Sequence, residues 1–307
     1  MATNPEEITP HRAGFVNIIG SPNVGKSTLM NRLVGERLSI INKKAQTTRH
    51  RIMGIVNEPE WQIVYSDTPG VLDPAYKLQE GMMKFVRTAL RDADVLLIVT
   101  TPDESTLAHP ETLEKVQKMD IPVLLLINKI DLSDQDRVSQ LVGHWHNLIP
   151  RAEIHPISAL HGFNLDHLLE RVVALLPSSP AFFPKDEMTD KPMRFFVAEI
   201  IREKILTHTR QEVPYSSEVI VESFKADQTK EGKSLRRIQA VIQVARDSQK
   251  AILIGTGGQM IKRLATDARK DLEGFLKEKV FLELRVKVDK DWRNDERKLK
   301  QYGYFDG

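Results

Sequence analysis

Short apolar runs at 14–19, 62–65, 95–99, 123–127 and 154–157 alternate along the first half of the chain with stretches of helical period, at 26–34, 78–90, 111–118, 134–148 and 165–176. Strand followed by helix, repeated, predicts an α/β unit with a parallel sheet. One connection breaks the rule. The strands expected at 51–56 and 61–65 are separated by only Asn57-Glu58-Pro59-Glu60, too short for a crossover helix, so they form an antiparallel hairpin. The expected sheet is six-stranded and mostly parallel. Pro177, Pro180 and Pro184 then fall within eight residues, which forbids helix and predicts a stiff, extended linker over 177–190. The expected division is a first unit at 1–176 and a second at 191–307. In the second unit the order changes: helix 193–209, strands 217–224 and 235–245, a short helix 248–253, a glycine-rich turn, helix 259–276 and strand 280–288. That is an α+β pattern, α-β-β-α-α-β. Neither an internal repeat nor a low-complexity tract is present.

Composition narrows the class. With 41% hydrophobic and 28% charged residues, the chain is neither disordered nor a membrane protein as a whole. Its longest apolar runs fall far short of the ~18 residues a spanning helix needs. Residues 1–7 lack the basic start and apolar core of a secretory leader. The absence of cysteine removes disulfides, thiol catalysis and Cys-ligated zinc, and it fits a reducing cytoplasm. The net charge of +2 conceals an asymmetry, −3 over 1–180 against +5 over 181–307. The stretch 225–270 carries eleven basic and four acidic residues, the footprint of a polyanion binder, though charge alone is also met by a solvated surface.

Gly20-Ser21-Pro22-Asn23-Val24-Gly25-Lys26-Ser27, followed by Thr28, fits G-x-x-x-x-G-K-[ST] and lies between a predicted strand and a predicted helix. Gly20 and Gly25 let the backbone curl so that N–H groups and the helix N-terminus surround a β-phosphate; Lys26 neutralises β/γ oxygens and Ser27 ligates Mg²⁺. Asp67-Thr68-Pro69-Gly70 supplies a carboxylate behind the metal and the Gly70 N–H for a γ-phosphate, although alone it is a common turn. Asn128-Lys129-Ile130-Asp131 follows an apolar strand, at the sheet edge where ligands bind. A carboxylate at Asp131 accepts from both N1–H and the exocyclic amine of guanine, which argues for GTP over ATP. Ser158-Ala159-Leu160 closes the base pocket and means nothing in isolation. The polar stretch 43–50 is placed as a switch loop, with Thr48 the hydroxyl expected at Mg²⁺ and Thr47 the alternative. Val71 stands where many regulatory GTPases place a water-orienting glutamine.

Gly255-Thr256-Gly257-Gly258, with Lys262 and Arg263 nearby, suits RNA because small residues let phosphates approach helix N-termini. By itself it is a helix–helix turn; within α-β-β-α-α-β it matches the order of the type II KH module.

Together with Lys44-Ala45-Gln46-Thr47-Thr48-Arg49-His50-Arg51, Glu199–Lys204, Pro214-Tyr215-Ser216, Val286-Lys287-Val288, Trp292 and Asp295-Glu296-Arg297, these motifs resemble the Era family of bacterial ribosome-assembly GTPases over essentially the whole chain. The resemblance implies an enzyme hydrolysing GTP to GDP and phosphate, with Lys26, Thr48, Gly70 and Asn23 at the reaction and Ser27, Thr48 and Asp67 at Mg²⁺. It implies a KH unit that binds the 3′ end of 16S rRNA in assembly of the small (30S) subunit, in a cytoplasmic monomer loosely associated with the inner membrane. In related potassium-dependent GTPases an asparagine matching Asn23 helps to hold K⁺. Ser21 departs from the arginine that relatives often carry, and Thr256-Gly257 puts no base inside the loop. Other classes stay open: an RNA-binding scaffold with GTP as a structural ligand, and a membrane or cell-cycle signalling GTPase.

Overall fold

The computed structural model describes residues 11–107 and 109–305; the leader-free reading of residues 1–7 concerns positions outside that range. The first unit is a six-stranded sheet in the order β2-β3-β1-β4-β5-β6. Its strands are β1 (Arg12–Gly20), β2 (Ile52–Asn57), β3 (Trp61–Asp67), β4 (Val95–Thr100), β5 (Val123–Ile127) and β6 (Glu153–Pro156). Every pairing is parallel except β2 with β3, the expected hairpin. β4 and β5 are buried at every position, which is why they read as unbroken apolar runs instead of alternating ones. Helices α1 (Lys26–Val34) and α5 (Leu165–Leu175) cover one face; α2 (Lys77–Arg91), α3 (Pro110–Gln117) and α4 (Gln135–Leu148) cover the other. Because all the parallel strands end on one side, the motifs at Gly20, Asp67, Ile127 and Pro156 meet along a single edge.

The proline-rich segment is a strap that runs from the amino-terminal end of β1 past β3 to the edge strand β2. The Ala13 N–H donates to Pro177 O at 3.2 Å and the Ile55 N–H to Met188 O at 2.8 Å, while Phe182 stacks on Phe15 with centroids 5.1 Å apart. Gln62, buried in β3, accepts from the N–H groups of Phe182 and Phe183 at 2.7 and 3.0 Å and donates to Phe183 O at 2.8 Å. The bond at Ile55 satisfies part of the β2 edge, which would otherwise expose unpaired backbone groups.

The second unit holds α6 (Met193–His208), β7 (Ser217–Gln228), β8 (Ser234–Val244), α7 (Asp247–Ile254), α8 (Gln259–Leu276) and β9 (Lys279–Val288), the order expected. Its sheet is β7-β8-β9, antiparallel then parallel. Apolar faces of α6 and α8 pack on it through Val197, Ile201, Leu264 and Leu272. Beyond β9 stand a turn at Trp292–Asn294 and α9 (Glu296–Gln301), for which the sequence pattern predicted no element. Trp292, Leu299 and Tyr304 are fully buried and pack with Leu78, Met82 and Val86 of α2, against the first unit. Each large apolar side chain so buried contributes roughly 1.5–3 kcal/mol, so this tail is firmly docked. Gly81 permits it: a Cβ there would lie 2.9 Å from Tyr304 O.

Candidate nucleotide and RNA sites

At the carboxyl edge of β1 the backbone takes conformations few side chains tolerate: Asn23 has φ +64° and Gly25 +101°. A Cβ on Gly25 would meet Asn128 Nδ2 at 2.3 Å, so the phosphate loop and the base pocket touch at a glycine. Lys26 is buried and donates from Nζ to Gly20 O at 3.0 Å and Ser21 O at 2.8 Å. Burial lowers its pKa to about 8, with Asp67 and Glu104 opposing the shift, so the ammonium remains charged at neutral pH.

Ser27, Thr48 and Asp67 come together. Ser27 Oγ donates to Asp67 Oδ2 at 2.7 Å and lies 2.9 Å from Thr48 Oγ1, which in turn donates to Asp67 Oδ2 at 3.1 Å. Thr47 points away, its hydroxyl on Lys44 O at 2.6 Å. Burial pushes the Asp67 carboxyl up, while Lys26 and the hydroxyls pull it back. Its second oxygen, Oδ1, is buried with no hydrogen-bond partner. Two hydroxyls and a carboxylate with a spare buried oxygen are a hard, all-oxygen donor set that fits Mg²⁺.

In the base pocket Asn128 is buried and bridges two segments, donating from Nδ2 to Val24 O at 2.8 Å and accepting from the Ala159 N–H at 2.9 Å. Lys129 reaches back to Asn23 O at 2.6 Å. Ser158 Oγ donates to Asp131 Oδ1 at 2.5 Å, and His161 Nε2 stands 3.7 Å from Asp131 Oδ2. The cleft holds about 870 Å³, and Asn23, Gly25, Lys26, Ser27, Thr28, Gly70, Asn128, Lys129, Asp131 and Leu160 line it. Val24 and Ala159 turn their side chains into the core and offer only backbone. Val71 is likewise packed in the core. Ile40, Ile41, Leu206 and Thr207 also line the cleft, although nothing in the sequence marked them. The last two come from α6 of the second unit, some 180 positions away from the phosphate loop, where no local signal exists.

The second candidate site is the turn between α7 and α8. Gly255, Gly257 and Gly258 all have positive φ, at +70°, +57° and +78°, and a Cβ on Gly257 or Gly258 would meet nothing within 4 Å. The turn is open to solvent and leads into α8, which carries exposed Lys262 and Arg263 in its first turns. Backbone donors at a helix start beside two cations can receive a phosphodiester.

A phosphate loop, a hydroxyl–carboxylate metal cradle and a guanine-type base pocket on a Rossmann-like sheet define a P-loop GTPase, here followed by a KH module. The family description "50S ribosome-binding GTPase" matches residues 15–129, and "KH domain" matches 212–293. GTPase Era of Geobacter metallireducens is 47% identical over 296 residues, covering 96% of this chain and 98% of that one. A crystal structure of Era in complex with MgGDPNP and nucleotides 1506–1542 of 16S ribosomal RNA is 40% identical, with a TM-score of 0.89 over 96% of this chain and 99% of that one. An Aquifex aeolicus Era variant bound to GDP·AlF4⁻ is 39% identical with a TM-score of 0.88, covering 95% and 99%. The chain belongs to the Era family of GTPases.

Proposed function

We propose that the chain binds and hydrolyses GTP with Mg²⁺ and uses its second unit to bind the 3′ end of 16S rRNA during assembly of the small ribosomal subunit. The observation carrying this reading is the convergence of Ser27, Thr48 and Asp67 beside Lys26, with Asn128 and Asp131 in the same cleft. Mg²⁺, held by Ser27 and Thr48 with Asp67 behind them, supplies charge neutralisation to the phosphates when bound. Lys26 and the backbone of 20–27 orient the phosphates, Gly70 offers its N–H, and Asp131, braced by Ser158, selects guanine. Phosphoryl transfer to water needs positioning more than covalent participation. With Val71 buried in the core, no side chain at that position can orient the water, so intrinsic turnover is slow. Asn23, exposed at the mouth of the cleft, is the residue offered to a K⁺ ion that would supply positive charge there.

The division into 1–176, strap 177–190 and 191–307 belongs to the same proposal, as do a monomeric state, cytoplasmic residence and loose contact with the inner membrane. Among the described residues no helix is long and apolar enough to cross a membrane.

The test is single-turnover GTP hydrolysis by the full chain, in K⁺ and in Na⁺ at equal ionic strength, with and without a 16S 3′-end oligonucleotide. Faster hydrolysis in K⁺ that Asn23→Ala flattens, and a rate that responds to the oligonucleotide, are expected. Tight GTP binding with no hydrolysis under any of these conditions would instead leave an RNA-binding scaffold.

A further inference from the structure

The loop between α1 and β2 reaches the second unit through several charged side chains. Lys44 Nζ donates to the carbonyls of Leu206 and Thr209 at the C-terminus of α6, where carbonyls lack helical partners and cations are favoured. Arg202, buried on α6, is held by Glu199 at 2.7 and 2.6 Å and donates from the same Nη2 to Thr47 O. Arg49, also buried, donates to Pro214 O at 2.7 Å and Ser217 O at 2.8 Å and pairs with Glu218 at 3.2 Å. Glu218 is fixed in turn by the Tyr304 hydroxyl at 2.6 Å. α6 is itself tied to α8 through Lys204–Asp271 and through His208 Nε2, 2.7 Å from Asp267. Thr48 therefore sits between two residues, Thr47 and Arg49, that are both fixed by groups of the second unit.

We propose that Arg202 and Arg49 are positioning residues for GTP hydrolysis: the second unit, acting through them, holds Thr48 Oγ at the Ser27–Asp67 metal cradle. The proposal rests on the reading of Thr48 as a Mg²⁺ ligand. Contacts serving only to glue two units together could fall anywhere on the interface; these flank Thr48, whose hydroxyl donates to Asp67. The phosphate loop and the base pocket draw no contact from Arg202 or Arg49, so binding of GDP, which uses those parts, is insulated from the clamp.

The experiment uses the full chain carrying Arg202→Met, Arg49→Gln, Arg49→Lys, Lys44→Met or Thr48→Val. Two quantities are read: the Mg²⁺ concentration giving half-maximal single-turnover hydrolysis, and the affinities for fluorescent GDP and for a fluorescent non-hydrolysable GTP analogue. Loss of a buried charged hydrogen bond predicts a roughly ten- to hundredfold rise in the Mg²⁺ requirement for Arg202→Met and Arg49→Gln. GDP affinity should hold while analogue affinity falls. Arg49→Lys should recover part of the effect, and Lys44→Met, at a partly exposed position, should shift the requirement in the same direction if Arg202→Met does not fold. Equal losses of GDP and analogue affinity, or an unchanged Mg²⁺ requirement in folded variants while Thr48→Val raises it, would overturn the positioning role alone. An unchanged requirement in Thr48→Val would overturn the reading of Thr48 and the proposal with it.

Discussion

The surroundings of His50 predict that the junction between the two units is sensitive to acid. Its ring stacks on Tyr304 with centroids 4.2 Å apart and planes 27° apart, meets Phe195 edge-on at 5.5 Å and lies 5.8 Å from Phe85. Burial depresses its pKa from 6.5 to about 3; the cations Arg202, Lys191 and Arg49 add to the depression, and a backbone contact at Gly303 opposes it. Between pH 3 and 6.5 the unfolded chain thus binds a proton that the folded chain refuses, and stability falls as pH falls through that window. At 1.36 kcal/mol per pKa unit, going from pH 7 to pH 5 removes roughly 2 kcal/mol through this one group. His50→Phe keeps an aromatic ring on Tyr304 and removes the titration; losing the contact at Gly303 offsets its stability by a constant amount. Urea unfolding of wild type and variant across pH 5–7 should therefore show a difference that grows in the variant's favour by about that 2 kcal/mol as the pH drops. Parallel curves would show that the ring is either protonated in the folded protein or free to leave the stack, and the burial argument would be wrong.

Gly25→Ala should weaken GTP binding at least tenfold, since positive-φ strain of order 1–3 kcal/mol adds to a collision with Asn128; fluorescent-nucleotide titration checks it, and wild-type affinity would refute it. Asp131→Asn should exchange guanine for xanthine preference, because an amide donates to the 2-oxo group where the carboxylate accepted; the loss for GTP is about 1.5–3 kcal/mol per charged hydrogen bond, read by comparing GTP with XTP. Gly257→Asp should abolish RNA binding by placing a negative charge in the open phosphate path, with GTP affinity intact, whereas Lys262→Ala should weaken binding modestly and lower the salt slope by about one ion. Titration against a 16S 3′-end oligonucleotide and a scrambled control separates the two, and unaltered binding by folded Gly257→Asp would reduce the glycine turn to a connector.

The first-unit sheet was legible because each signal was local. The helix expected at 26–34 is α1 to the residue, set off by Gly25 and by Gly35 at φ +80°, and the four-residue connection at 57–60 forced the hairpin that gives the sheet its order. The motif favours Thr48 over Thr47 without forcing the choice, since what decides it is Lys44 O capturing the Thr47 hydroxyl. What stayed hidden is long-range. Gln62 looks like an ordinary polar strand residue until the strap supplies donors about 120 positions later. Trp292, Leu299 and Tyr304 follow the last strand of the second unit in sequence, seven and five residues apart, too few positions for a period that would reveal a docking site on α2.

Charge illustrates the same limit in the opposite direction, because there the sequence overstated a signal. The basic stretch 225–270 counts every cation equally, yet Arg236 is paired with Glu278 at 2.7 Å and lies over the Phe224 ring, and Arg237 is paired with Asp227 at 2.8 Å and lies over Phe281. Those two arginines serve the strand register of β7, β8 and β9, and Glu278, one of their partners, lies beyond the end of that basic stretch. Lys262 and Arg263, by contrast, stand exposed on the first turns of α8 beside a glycine turn in which a Cβ on Gly257 or Gly258 would meet nothing within 4 Å. The field available to a phosphodiester is therefore weaker at Arg236 and Arg237 than the summed charge suggests, while Lys262 and Arg263 stand beside the glycine turn. Neutralising Arg237 should consequently disturb the fold of the strands more than the salt dependence of RNA binding, while neutralising Lys262 should do the reverse.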